Sequence, residues 1–540
     1  MLLSLAADLT FFQDSWEFLI NRRELSVDAL LQPHNEHIVL LPVAIEILLL
    51  HLFGMSSAMP EFVVLTALLL ATAILVFVYV RRRLGEWPAL MAAVLLLFVG
   101  PAWQDLLWPF EIGFVGSVLC GVAMLLALER EDRRGDTWAC VLLVLSLAFS
   151  SLGLAFAVAA LVDVALQRRR LGLRRVWLAA LPLLLYAGWY AGWGHEAEGH
   201  VSLHNVLVSP RFVLEAATAA TEALVGMSGI TDEPVGRAAW GPALLVLLLA
   251  ALAYAWHRRA LRPSPRLWPA LAAAATFWFL AGFNFIPGRE AWSSRYLYAG
   301  AALVLLIVAD LLAGSRPGRR ALIVAGVVTA VAAASNLVPL RDGHDFLEAQ
   351  TVLTRADLAA IEIAQRTVDP SFGLTPEVAG TPFLIDVSAG EYLGAVEEHG
   401  SPAYTPAELA AAPEYGRVQA DVVLAGALPV SMETHEGIGA SNGKDERRGQ
   451  RQGGKDRCQA VAPAKGNHAR GPALRPGVTR IELPPGPPAT IALRRFAGTE
   501  FSLVSEGVPG GSNTLLHIPA DTTAFPWRLR VDARQEARVC

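Results

Sequence analysis

Nine apolar runs of roughly membrane-crossing length are separated by arginine clusters, and that alternation confines the chain to few folds. The runs fall near 61–80, 88–104, 110–128, 138–166, 176–193, 241–256, 268–285, 297–314 and 321–338. A helix needs about 20 apolar residues to cross a bilayer, and only helices and closed barrels satisfy their backbone there. The clusters are Arg81, Arg82 and Arg83; Arg130, Arg133 and Arg134; Arg168, Arg169, Arg170, Arg174 and Arg175; Arg258, Arg259, Arg262 and Arg266; and Arg316, Arg319 and Arg320. Short basic loops stay cytoplasmic, so placing all five inside fixes a topology. The composition agrees, at 54% hydrophobic and 17% charged with a mean hydropathy of +0.43, where soluble domains run near a quarter charged. A collagen, a disordered chain and a small disulfide-stapled secreted domain are excluded on the same grounds. The formal charge of −5 gives no case for nucleic acid.

The topology has consequences. The stretch 138–166 starts after one inside cluster and ends before another, so it turns back within the membrane. Ser150, Ser151 and Gly153 suit a break between two half-length helices. The segment 194–240 then lies outside, with a juxtamembrane helix near 211–228, and everything after about residue 340 is extracytoplasmic. Trp103, Trp108, Trp189, Trp193, Trp240, Trp268 and Trp292 sit near span ends, as interfacial anchors do. The expected fold is a polytopic α-helical, multi-pass protein of the cell membrane with about 9–11 membrane helices. A C-terminal extracytoplasmic domain, mixed α/β and then β-rich, follows that core.

The N-terminus admits two readings. Residues 1–12 are too short to span, and 38–54 is apolar but carries Pro42, Glu46 and His51. Either 38–54 is a short span, which puts residues 1–37 in the cytoplasm, or it dips into the outer leaflet, which puts them outside. The second reading is preferred because it brings four polar motifs to one face. It also implies that a first membrane helix is missing, so the chain reads as a shortened version of a longer design. No basic n-region and cleavage site mark a signal peptide.

Ionisable groups at a membrane edge are functional candidates by default. The four motifs are Phe11-Phe12-Gln13-Asp14-Ser15-Trp16-Glu17, Pro33-His34-Asn35-Glu36-His37, Trp108-Pro109-Phe110-Glu111, and Arg289 through Tyr298, which includes Arg295 and Tyr296. Each has a plain alternative. Asp14 and Glu17 at i, i+3 fit the wet face of a surface helix, and Glu111 fits an ordinary interfacial acid. His34 and His37 bracket Glu36 but lack the one-turn histidine spacing of a zinc helix. Two histidines and one acid fall short of a ligand set, so no cofactor is named and a divalent metal stays an open alternative. Arg295 and Tyr296 fit snorkelling and belt residues, yet arginine is also the preferred bidentate partner of phosphate. Nucleotide loops, C-x-x-C and dinucleotide fingerprints are absent from the sequence.

An outer acidic motif, then a polar motif entering an apolar helix that ends Leu52-Phe53-Gly54, then a span closing on Tyr79-Val80-Arg81-Arg82-Arg83, come in an order that resembles the GT-C superfamily of integral-membrane glycosyltransferases. That group includes protein mannosyltransferase-like and aminoarabinose transferase-like enzymes. The break near Ser150–Gly153 and the late Arg295-Tyr296 pair are similar too, and the likeness covers about the first 340 residues. It implies transfer of a sugar from a polyprenyl-phosphate carrier to a glycan, lipid or protein acceptor at the outer face. Asp14 would then be the general base, and Arg295 and Tyr296 would hold the phosphate. His34, Asn35, Glu36, His37, Glu111 and Arg289 would line the substrate site. Two departures stand out: Asp14 is followed by Ser15 where many members have a second acid, and the family's first helix is not in this chain.

Five segments are expected. Residues 1–60 carry the acidic motif and juxtamembrane helices, and 61–340 form the membrane core. Residues 341–430 form a mixed α/β segment, with a helix over His344–Thr367 and strands at Pro382–Val387 and Ala420–Leu424. Residues 431–476, Gly-rich and charged, read as a flexible linker, and 477–540 as a small β-rich unit. Cys120 and Cys140 fall in apolar spans as packing residues. Cys458 and Cys540 bracket the β-like unit, as a disulfide or as two free thiols. The alternative function is non-catalytic, a transporter, flippase or assembly factor for envelope polysaccharide, which needs mid-membrane ionisable residues such as Glu46 and Asp163.

Overall fold

The computed structural model describes residues 1–197, 199–227, 264–315, 317–374, 387–435, 458–462 and 471–540, with isolated positions 243, 246 and 250. The run at 241–256, Arg258, Arg259, Arg262 and Arg316, and the strand expected at 382–387 up to residue 386, lie outside the described residues. The chain forms two compact units: residues 1–11, 21–53 and 58–348, and residues 12–20, 54–57 and 349–540.

The first unit is helical. After a single turn, α1 (Leu2–Leu5), and the start of α2 (Ser15–Asn21) in the other unit, it contains α3 (Val27–Leu31), α4 (Leu40–Phe53), α5 (Met59–Leu84), α6 (Glu86–Leu97), α7 (Trp103–Leu107) and α8 (Ile112–Leu128). Then follow α9 (Arg133–Phe149), α10 (Gly153–Leu171), α11 (Trp177–Gly192), α12 (Leu203–Val225), α13 (Leu267–Phe283), α14 (Ser294–Leu311) and α15 (Arg319–Ser335). The helix α16 (Leu337–Ala364) starts in this unit, earlier than the helix expected from His344. Among the described residues four helices are long and apolar enough to cross a membrane, or five if the bent pair 86–97 and 100–107 counts as one span. Of these, α5 has 26 residues, about 39 Å at the helical rise, against a hydrocarbon core of about 30 Å. With 14 residues, α4 reaches only about 21 Å.

The stretch 138–166 corrects an expectation. Its break falls at residues 150–152, but the flanking helices are not half-length: α9 has 17 residues and α10 has 19, about 26 and 29 Å. An apolar window undercounts them, because each continues into its arginine-bearing end. Asp132 starts α9 by accepting the Gly135 N–H at 2.6 Å, and the chain turns over Ser150, Ser151 and Leu152 with a Gly153 N–H to Ser150 carbonyl bond of 2.9 Å.

The arginine clusters tie helix ends together. The Arg83 guanidinium pairs with Asp310 of α14 and, at 2.8 Å, with Glu129 after α8. Tyr79 donates to the same Asp310 at 2.5 Å. Arg175 pairs with Asp136 at 2.7 Å, and Arg266 with Asp163 at 2.6 Å. These pairs sit at the C-terminal ends of α5, α8, α10 and α14 and the N-terminal end of α9, so the opposite ends of the same helices carry the Trp108–Glu111 motif, the Ser150–Leu152 turn and Arg295.

The second unit combines helices with two antiparallel sheets. Beyond residue 349 it contains α17 (Ala389–His399), α18 (Pro406–Ala411) and α19 (Glu414–Ala427), and capping boxes start the first two, Ser388 with Glu391 and Thr405 with Glu408. The strand expected at Ala420–Leu424 is instead the middle of α19. Its buried Gly416, Ala420, Val423, Leu424 and Ala427 recur at helical spacing, a pattern that the short apolar run hid. The strands are β1 (Ser431–His435), β2 (Gln459–Val461), β3 (Ala473–Leu474), β4 (Gly477–Glu482), β5 (Ala489–Arg494), β6 (Ser502–Val508), β7 (Asn513–Ile518), β8 (Trp527–Asp532) and β9 (Ala537–Val539). One sheet has the order β1-β7-β4-β9-β2 and the other β3-β8-β5-β6. The β region therefore begins at Ser431, inside the segment expected to be a linker; 436–457 and 463–470 lie outside the described residues. Cys458 and Cys540 are bonded to one another, at the ends of the paired strands β2 and β9. Asp421 of α19 accepts the N–H groups of Arg495, Phe496 and Ala497 at 2.8, 3.0 and 2.9 Å, and Arg495 forms a fully buried pair with Asp521.

Residues 12–20 and 54–57 belong to this second unit. Met55 donates its N–H to the His399 carbonyl at 2.8 Å. Gly54, at φ +72°, is needed for that approach, since a Cβ there would lie 2.5 Å from the same oxygen.

Candidate functional site

The second motif folds as a tight turn. His34 and His37 exchange both backbone hydrogen bonds at 3.0 Å, and Asn35 takes φ 49°, a left-handed position that asparagine tolerates better than most residues. The turn is pinned from outside: Ser151 accepts the Ile38 N–H at 3.2 Å and donates to the Glu36 carbonyl at 3.3 Å. Tyr186 of α11 reaches the same hydroxyl at 3.1 Å. Upstream, Arg22 donates to the carbonyls of Gln32 and Pro33, each at 2.8 Å, and the Trp189 indole donates to that of Leu31 at 2.7 Å.

The histidine rings take aromatic partners. His34 packs edge-on to Phe110 and His37 edge-on to Phe114, with centroids 5.2 and 5.3 Å apart. Among the described residues the group with the spacing to hold a metal is His344, Asp345 and Glu348 on α16, largely exposed; His34, Glu36 and His37 do not form one.

The fourth motif meets the second. One guanidinium nitrogen of Arg289 lies 3.0 Å from each carboxylate oxygen of Glu36. Burial works against the ionised carboxyl, but His37 when protonated, the Arg289 guanidinium and hydrogen bonds from Arg289 and the Glu36 backbone outweigh it and hold Glu36 below the usual glutamate range. Burial pushes the His37 imidazole down to about 4, aided by Arg289, His34 and Arg295 against the pull of Glu36. Near neutral pH the turn thus presents an anion beside a neutral imidazole.

The third motif joins them. Arg295 lies 5.9 Å from the Trp108 ring centroid, and Trp108 stacks on Phe110 at 5.1 Å. Glu111 is buried. The Gln104 N–H donates to Ser294 at 3.1 Å, which fixes α7 against the start of α14. Tyr296 is wedged edge-on between Phe277 and Phe212, at 6.2 and 6.3 Å.

Beside the turn opens a pocket of about 670 Å³ of empty space, open solvent at its mouth included. Its polar end is Glu36, His37, Ser151, Tyr186, Asn284 and Tyr296, and its walls are apolar, Phe114, Leu152, Leu154, Phe277, Leu280 and Ala281. The arrangement suits an apolar chain with a polar head.

The structure therefore brings His34, Asn35, Glu36, His37, Glu111, Arg289, Arg295 and Tyr296 to one end of the helical unit. Asp14 is placed differently: it precedes α2, within the 12–20 segment of the second unit. Sequence reasoning missed Tyr186, Asn284 and Asp105. The last is fully buried on α7, and an acid inside Trp103-Gln104-Asp105-Leu106-Leu107-Trp108 was the available signal. Asp163, a residue that a transport path would need free, is held by Arg266 and Arg175.

No protein-family model and no curated protein matches the chain. Among solved structures it is similar to ArnT from Cupriavidus metallidurans, determined with undecaprenyl phosphate bound, at a TM-score of 0.46 and 14% identity over 74% of this chain and 86% of that one. The chain is a mostly helical membrane protein with a β-rich C-terminal region.

Proposed function

We propose that this protein is a membrane glycosyltransferase that moves a sugar from a polyprenyl-phosphate donor to an acceptor hydroxyl at the extracytoplasmic face. The observation that carries this reading is the amphipathic pocket, apolar along its walls and polar where Glu36, His37, Ser151 and Tyr186 meet, with Arg289 paired to Glu36 at its edge. A polyprenyl chain would follow the apolar walls, and its phosphate would meet the end bearing Arg289 and Arg295. In the reaction the acceptor oxygen bonds to the anomeric carbon as the bond from that carbon to the phosphate oxygen breaks. The phosphate leaves with the electron pair, and the hydroxyl proton passes to a base. Asp14 is the residue proposed for that proton, and cationic groups stabilise the charge that grows on the leaving phosphate. The acceptor is a glycan, lipid or protein hydroxyl.

The experiment uses the full chain in proteoliposomes with a panel of polyprenyl-phosphate hexoses and pentoses, following release of polyprenyl phosphate. Asp14→Asn is expected to abolish release while expression and membrane insertion persist; full activity in that variant sinks the mechanism. A cysteine introduced by Ser26→Cys is expected to label from outside the cell, and labelling from the cytoplasm alone overturns the assigned face.

A further inference from the structure

The charged side chain that lines the pocket is an acid. Glu36 contributes to its wall, whereas Arg289 and Arg295 do not. Arg289 reaches the pocket's edge only through Glu36, with one nitrogen 3.0 Å from both carboxylate oxygens. The pair is mostly buried, with side-chain exposures of 15% for Arg289 and 19% for Glu36, so solvent screens it poorly. The turn that carries Glu36 does not depend on this side chain. Its closure is the backbone pairing of His34 with His37, and its anchor is Ser151 on the Glu36 carbonyl and the Ile38 N–H. The turn's closure and anchor thus come from backbone and Ser151, while the carboxylate's own partners are Arg289, the His37 ring at 3.7 Å and the Glu36 backbone N–H.

We propose that Glu36 is a built-in competitor for the donor's headgroup: it occupies Arg289 in the resting protein and must swing away before a phosphate can pair with that guanidinium. The proposal rests on the polyprenyl-phosphate reading above. Its consequence is selectivity by charge. A phosphate carries enough negative charge, and a geometry well enough matched to arginine, to displace a carboxylate. A neutral polar headgroup does not, so lipids without phosphate leave the pair closed. An ionised Glu36 and a phosphate also repel one another in the same pocket, which makes the acid a cost to anion binding in every conformation.

The test measures equilibrium binding to the full chain in lipid nanodiscs by calorimetry, with farnesyl phosphate, farnesol and inorganic phosphate as probes. Glu36→Gln is expected to bind farnesyl phosphate roughly tenfold more tightly than the wild type, the size of one partly buried ion pair, with farnesol unchanged. Glu36→Asp, which keeps the charge but shortens the reach, is expected to gain less. Arg289→Gln is expected to lose the preference for farnesyl phosphate over farnesol, and adding Glu36→Gln to it should then bring no gain. If Glu36→Gln and Glu36→Asp bind farnesyl phosphate as the wild type does or more weakly, while Arg289→Gln still loses the preference, the competitor role is overturned and the phosphate-donor reading stands. If wild type and Arg289→Gln bind farnesyl phosphate and farnesol alike, the phosphate-donor reading itself fails. Inorganic phosphate binding as tightly as farnesyl phosphate overturns the lipid source of the anion.

Discussion

The Ser151 hydroxyl, in the turn that joins α9 to α10, accepts the Ile38 N–H at 3.2 Å across 113 residues of sequence. A helix break and the candidate site are therefore one piece of structure. Ser151→Ala removes the acceptor and leaves a buried N–H unsatisfied, at a cost of about 1–3 kcal/mol. Hydrogen exchange read by mass spectrometry should speed up in peptides covering Pro33–Leu40, and Ser151→Thr should restore protection. Unchanged exchange in Ser151→Ala would show that the turn holds without this anchor.

At the arginine end, Asp310 accepts from both Tyr79 and Arg83. Asp310→Ala strands the tyrosine hydroxyl and removes one of the two acids on Arg83. Breaking a buried pair from one side costs about 3–5 kcal/mol, and the lower end applies because Glu129 remains, 2.8 Å from Arg83. The melting temperature of the purified protein should drop sharply. Asp310→Leu combined with Arg83→Met should regain most of the loss, and failure of that pair to recover would place the cost elsewhere.

Histidine 37 gives a pH dependence with a definite sign. Its imidazole titrates at about 4 in the folded protein, against roughly 6.5 for an unperturbed histidine. Between those values the unfolded chain binds a proton that the folded one does not, so this residue's contribution to stability is whole above about pH 6.5 and is lost as pH falls toward 4. Melting temperatures measured from pH 7.5 down to 4.5 should decline, and the decline should be shallower in His37→Asn. An equal slope in that variant would remove His37 as the source.

The Cys458–Cys540 bond closes a loop with a sequence separation of 82. In the chain-entropy account a loop of that size is worth about 4–5 kcal/mol. Cys458→Ser with Cys540→Ser should make the β-rich region sensitive to limited proteolysis at temperatures where the wild type resists, and equal resistance would show that the sheets hold without the bond.

The alternation of apolar runs and arginines was enough to read a helical membrane protein, and Ser150–Gly153 was enough to read a break. The lengths of α9 and α10 were not legible, because hydropathy stops where the polar helix ends start. Three of the four polar motifs meet as the sequence suggested, since each flanks the same ends of packed helices. The Glu36–Arg289 pair joins residues 253 apart, and no local pattern encodes a contact at that range. Nor could composition tell that Arg83, Arg175 and Arg266 are ion-pair partners as well as loop charges. The helix α19 was hidden because Asp421, in its middle, looks like a solvent residue in a strand, whereas it turns inward to three backbone donors.

The second unit draws on residues 12–20 and 54–57 as well as on the C-terminal third, with the Trp16 ring set edge-on against Tyr392 at 6.3 Å. During synthesis those early residues leave the ribosome more than 300 residues before the strands that complete their unit. Their contacts within that unit cannot be completed until nearly the whole chain has been made. A protein cut at residue 349 would not release a finished domain, and a stop codon late in the gene would strand its beginning as surely as its end.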